Sequence, residues 1–162
     1  MARKIATRDI VERPALLDFV RPRHHWTFIT LRADGRPQAS PVTGGVTEDG
    51  RLVVSTYPHR DKVHNLRRDP RASVCVLSDT FGGAWVQVDG RATVTDVPDA
   101  VDGMVEYYRA VSGEHPDWDD YRAAMTRQGK CLISVEIERW GPIATGGFPP
   151  FMLDLDDGLD QG

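Results

Sequence analysis

A chain of 162 residues, 40% hydrophobic and 27% charged, suits one domain with a real apolar core. Its formal net charge of −4 excludes the strongly basic surface of a general nucleic-acid binder, and no apolar run approaches the roughly 20 residues needed to cross a bilayer. The opening "MARKIATRDIVERP" has charges without an apolar segment, unlike a secretory signal, so a soluble cytoplasmic protein without membrane or nucleic-acid partners is expected.

Residues 7 to 20, "TRDIVERPALLDFV", read as a helix with Thr7 as N-cap and Ile10, Val11, Leu16, Leu17 and Val20 as the apolar stripe; Pro14 inside it marks a break point. Strands follow. "HWTFITLR" runs into "ADGRP", whose Asp34-Gly35 is a hairpin signal, and "QASPVTGGVT" runs through "EDG" into "RLVVST". After a short helix come the strand "RASVCVLS", the glycine-rich turn "DTFGGA" and the long strand "WVQVDGRATVTDV". Two helical segments, roughly 98 to 112 and 117 to 128, precede a last strand, "KCLISVEIERWGPIATGG", and an acidic tail. Six strands with inserted helices predict a mainly β fold, a small antiparallel barrel, because closure removes exposed edges. Cys75 and Cys131 lie in alternating apolar segments and read as buried free thiols rather than metal ligands.

The short helix lies in "STYPHRDKVHNLRRDP", residues 55 to 70, between a turn at Pro58 and a stop at Asp69-Pro70. Arg60 and Lys62 sit at its beginning, where the helix dipole already favours anions. Two cations at that place either are solvated or, together with the helix amides, hold an anion. Residues i and i+2 do not share a helical face, so both reach one ligand only if Arg60 belongs to the turn before the helix. None of the five histidines has a metal-ligand spacing, and none stands out as a haem ligand. No Ser/His/Asp or Cys/His arrangement marks a nucleophile, and the catalytic residues stay unassigned.

The order of elements resembles the pyridoxamine 5′-phosphate oxidase-like superfamily, whose fold is the FMN-binding split barrel. The resemblance covers nearly all of residues 7 to 148. It rests most on "STYPHRDKVHNLRRDPRASVCV", with the basic pair, Asn65-Leu66 and Asp69-Pro70, and also on "GRPQASPV" and "WVQVDGRATV". It implies a six-stranded antiparallel split β-barrel over residues 7 to 148, followed by an acidic tail over 149 to 162. It further implies a homodimer with the cofactor at the twofold interface. Ser55, Thr56, Arg60, Lys62 and Asn65 would serve the cofactor phosphate, and the backbone of Ser40, Pro41 and Val42 would run along the ring edge. Trp85 and Gln87 would reach over it from the second subunit, although Trp85 reads equally as barrel packing.

The chain lacks the C-terminal Arg-containing motif with which true pyridoxamine phosphate oxidases grip their substrate. The helical insertion and the terminal "IATGG" are more similar to the coenzyme F420 (deazaflavin) branch, in its B group. That implies an F420-dependent oxidoreductase passing a hydride to a small planar organic acceptor such as a quinone or tetrapyrrole; an FMN-dependent oxidoreductase and a non-catalytic cofactor carrier stay open. Arg21, Arg23, Arg67 and Arg68 are candidates for a basic fringe toward the carboxylates of F420, or else are solvated. The tail residues Phe148, Phe151, Met152 and Leu153 could cover the substrate side or pack on a partner, ahead of Asp154, Asp156, Asp157 and Asp160.

Overall fold

Residues 4–153 are described by the structure, a computed structural model. The chain starts as a strand, β1 (Thr7–Asp9), and this corrects the helix expected from residue 7. Thr7 pairs with Thr145 of β9 (Ile143–Thr145), and their hydroxyls share a 2.8 Å hydrogen bond. Thr7 is therefore no N-cap. Helix α1 runs only over Arg13–Val20, which places Pro14 in its first turn. There its missing N–H is not needed, whereas deeper in a helix it would remove a bond and clash with the preceding turn.

The remaining elements are β2 (His25–Leu31), β3 (Pro37–Thr43), β4 (Gly45–Val46), β5 (Leu52–Thr56), α2 (Asp61–Arg68), β6 (Arg71–Val76), β7 (Val86–Asp96), α3 (Val101–Ser112), α4 (Trp118–Arg127) and β8 (Cys131–Trp140). Two expected strands are each divided, at Gly44 and at Gly141-Pro142, and β1 is added. Seven strands form one antiparallel sheet in the order β3-β2-β6-β7-β8-β5-β4. Its two edge strands, β3 and β4, are consecutive in the chain and joined by Gly44 alone. The sheet therefore curls until one residue stitches its edges together, which is the split-barrel architecture.

Only glycine fits that stitch. A Cβ on Gly44 would lie 2.0 Å from the Trp26 ring. Gly44 is also tied to His24 twice, by its N–H to the His24 carbonyl (2.9 Å) and by its carbonyl to the His24 Nδ1 (2.8 Å).

Strand alternation divides the apolar residues between two cores. Trp26, Phe28, Leu52, Val54, Val74, Val86 and Ile133 point into the barrel, joined by Leu16 and Val20 of α1 and Val63 and Leu66 of α2. Val53 and Leu132, on the other face of β5 and β8, pack under Met104, Val105, Tyr121 and Met125 of α3 and α4. Cys131 is buried and Cys75 half-buried, both as free thiols.

Candidate cofactor site at the start of helix α2

β5 leaves the barrel at Thr56 and enters a turn closed by the Arg60 N–H on the Tyr57 carbonyl (3.1 Å), with Pro58 at the position its fixed φ suits. Arg60 is the N-cap of α2, with extended backbone (φ −70°, ψ 145°), so it lies outside the helix. Its side chain makes no capping bond; the Val63 N–H already bonds the Arg60 carbonyl (3.0 Å), which leaves the Asp61 and Lys62 N–H groups as the first-turn amides without an intrahelical acceptor. Arg60 and Lys62 thereby line one cavity of about 480 Å³. Ser40, Pro41, Val42 and Thr43 of β3 form one wall, and Val54, Ser55, Thr56 and Tyr57 form another. Tyr107 of α3 completes the lining and donates its hydroxyl to the Thr43 carbonyl (2.9 Å).

Three features of this cavity suit an anion. Ser55 Oγ is buried and has no hydrogen-bond partner among the described residues, a state that costs free energy until something binds it. Lys62 has its pKa lowered, first by burial and then by the neighbouring Arg60 charge, so negative charge placed between the two would relieve both effects. Neither cation takes part in an ion pair among the described residues. Such a donor set, two cations, two hydroxyls and helix-start amides, fits a phosphate ester.

The structure thus brings Ser40, Pro41, Val42, Ser55, Thr56, Arg60 and Lys62 together. Asn65 does not line the cavity. It is 7% exposed, and its amide bonds Thr30 Oγ1 (3.0 Å), Gln38 Oε1 (2.8 Å) and Arg68 Nη2 (3.0 Å). Trp85 and Gln87 also lie elsewhere, on the outward side of the barrel: Trp85 is 39% exposed, and Gln87 donates to Asp89 Oδ1 (3.2 Å).

The four arginines considered for a basic fringe are engaged away from the cavity. Arg67 holds both oxygens of Asp96 at 2.9 Å, Arg68 bonds Leu31 O and Asn65, Arg21 bonds Thr47 O, and Arg23 bonds Phe19 O while stacking on its ring. Of the tail, Phe148, Phe151 and Leu153 are exposed, and the four aspartates lie outside the described residues. Among the described residues no cluster of His, Cys, Asp or Glu could hold a metal ion, and no helix is long and apolar enough to cross a membrane.

Tyr57 and Tyr107 were not anticipated. Tyr57 flanks the phosphate motif, and Tyr107 lies three residues after the buried Met104, on the same helical face, so both had a local signal. What assigned Tyr107 was the packing of α3 against β4 and β5, which brings its hydroxyl to the Thr43 carbonyl.

An F420H(2)-dependent biliverdin reductase of Mycobacterium tuberculosis (strain CDC 1551 / Oshkosh) is 29% identical to this chain over 124 residues, covering 76% of it and 82% of that protein. The crystal structure of a conserved hypothetical protein of Mycobacterium tuberculosis superposes with a TM-score of 0.70 at 22% identity, over 86% of this chain and 89% of the other. An F420 reductase structure superposes with a TM-score of 0.57 at 17% identity, over 76% and 94%. Both superpositions establish a shared fold. The sequence profile of pyridoxamine 5′-phosphate oxidase matches residues 13–144, which include every residue lining the cavity, and the chain belongs to that family.

Proposed function

We propose that the protein is an F420H2-dependent reductase that delivers a hydride to a planar conjugated acceptor such as a quinone or tetrapyrrole. The observation that carries the phosphate assignment is the convergence on one cavity of a helix start with a buried hydroxyl that has no partner and two cations outside any ion pair among the described residues. In this reading Ser55, Thr56, Arg60, Lys62 and the first-turn amides of α2 hold the cofactor phosphate. The backbone of Ser40, Pro41 and Val42 orients the ring, and Tyr107 closes the side toward α3. When bound, the deazaflavin supplies the hydride, so this chain has only to orient, desolvate and stabilise charge.

The cation pair suits the phosphate of FMN as well. Preference for F420 is supported by the relative named for F420H(2). The active unit is a homodimer in which Trp85 and Gln87 of one subunit reach the cofactor of the other, consistent with their placement on the outer strand face.

Titration of the apoprotein with F420 and, separately, FMN, followed by tryptophan fluorescence, tests this. Micromolar or tighter F420 binding with weaker FMN binding is expected, and biliverdin and a quinone are then the first acceptors to assay. The reverse preference would make the protein an FMN enzyme. Binding of neither would overturn the cofactor reading.

A further inference from the structure

Between the cavity and the opposite end of α2 runs a chain of side-chain hydrogen bonds with a fixed direction. Arg68 Nη2 donates to Asn65 Oδ1 (3.0 Å), Asn65 Nδ2 donates to Gln38 Oε1 (2.8 Å), and Gln38 Nε2 donates to Asp61 Oδ2 (3.1 Å). A guanidinium can only donate and an ionised carboxylate can only accept. With those two groups at its ends, the two amides between them have one orientation each. Asn65 is held further by its second N–H on Thr30 Oγ1, which belongs to a residue 1% exposed.

The far end of this relay matters because of where Asp61 sits. It is the first residue of α2, between Arg60 and Lys62, and the acidic residue in that turn. A carboxylate there is the natural intramolecular competitor for the two cations that line the cavity. Yet Asp61 bonds Gln38 of β3, which does not line the cavity, and it forms no ion pair with either neighbour among the described residues.

We propose that Gln38 is a positioning residue that keeps the cofactor-phosphate site free for its anion, by holding the Asp61 carboxylate against β3 and away from Arg60 and Lys62. Asn65 and Arg68 set the direction of the relay, so Asn65 serves the site through Gln38 rather than by touching the cofactor. This rests on the phosphate reading of the cavity.

Two measurements on the full chain test it. The first is the F420 dissociation constant of the wild type, Gln38→Leu, Asp61→Asn and the double variant. Gln38→Leu releases Asp61 to pair with the cations and weakens F420 about fivefold, the scale of one partly exposed ion pair. Adding Asp61→Asn removes the competitor and restores wild-type affinity, a rescue that mere damage to the β3–α2 packing would not show. Asp61→Asn alone binds at least as tightly as wild type.

The second uses no cofactor. The chain has three lysines, Lys4, Lys62 and Lys130, so the 13Cε resonance of selectively labelled Lys62 can be followed against pH. Its pKa rises in Gln38→Leu, because a carboxylate drawn to the ammonium favours the charged form, and returns in the double variant. Unchanged affinity and an unchanged Lys62 titration in Gln38→Leu, or failure of Asp61→Asn to reverse the loss, would overturn the relay. Should the wild type bind neither F420 nor FMN, the cofactor reading fails, and the Lys62 titration alone decides the relay.

Discussion

Ser55 carries a hydroxyl that is buried and has no partner among the described residues, in the cavity lining that also presents Arg60 and Lys62. A residue kept for stability would not be arranged so. Ser55→Ala is therefore expected to act in opposite directions on two measurements. It raises the apoprotein's unfolding free energy by up to about 1 kcal/mol, because an unsatisfied polar atom disappears. It also weakens F420 binding, because a phosphate contact goes with it; calorimetric unfolding and the fluorescence titration read the two effects. The double variant Arg60→Ala, Lys62→Ala is expected to weaken F420 and FMN alike by about two orders of magnitude, the scale of two charge-assisted contacts. If affinity for both stays unchanged, the phosphate lies elsewhere. The cation pair was legible from spacing alone, since Pro58 and Asp69-Pro70 bracket the helix. The cavity role of Tyr107 was not, because α3 meets β3 only after four more strands, β4 to β7, have been laid down.

At the scale of elements, Gly44 decides whether the sheet closes. It turns β3 into β4 against the face of Trp26 and leaves no volume for a methyl group. Gly44→Ala is expected to destabilise by about 2–3 kcal/mol, the cost of overpacking a rigid core. Chemical denaturation measures it, and a loss below about 0.5 kcal/mol would mean that Trp26 can yield. The helical layer is a separate cohesive unit, since Met104, Val105, Tyr121 and Met125 bury against Val53 and Leu132 on the outside of the barrel. Met104→Ala is expected to cost about 2–5 kcal/mol. Through the displaced Tyr107 it should also weaken cofactor binding, although Met104 itself does not line the cavity.

For the whole molecule, the face carrying Trp85 and Gln87 is the expected dimer contact. Light scattering should report a dimer, and Trp85→Glu should shift it toward monomer and weaken F420 binding at least about tenfold, as loss of a central aromatic anchor does. A wild-type monomer that binds F420 normally would remove the second subunit from the site.

Acid sensitivity is a further property of the whole fold. Asp69 is held at about 2 by the Arg71 side chain and N–H, and Asp49 lies low because Thr47 donates to it. Asp89 is raised by burial but lowered more by bonds from Ser73, Arg139 and Gln87. Each pKa is lower folded than unfolded, so their stabilisation is complete above the ordinary value of 3.8 and is lost as pH falls below it, through about 2 for Asp69. Melting temperature should accordingly decline across that window. Solvent screening keeps the exposed Asp69 pair a small contributor.

The sequence by itself determined what local periodicity and chain chemistry can encode. The alternation in "HWTFITL" and "RASVCV" assigns core and outer faces, and the bracketed short helix delivers two cations to its own start. Tertiary structure decided what joins residues remote in the chain. Thr7 becomes a strand residue because its partner, Thr145, lies 138 positions away, and no local pattern announces such a pairing. With Thr7 in a strand, Pro14 falls in the first turn of α1 instead of its interior. Asn65 looks like a ligand beside Arg60 and Lys62, yet Thr30 and Gln38, from strands 35 and 27 residues earlier, take both of its N–H donors. A buried amide must satisfy its polar atoms wherever the fold supplies partners, and only the three-dimensional neighbourhood says where that is.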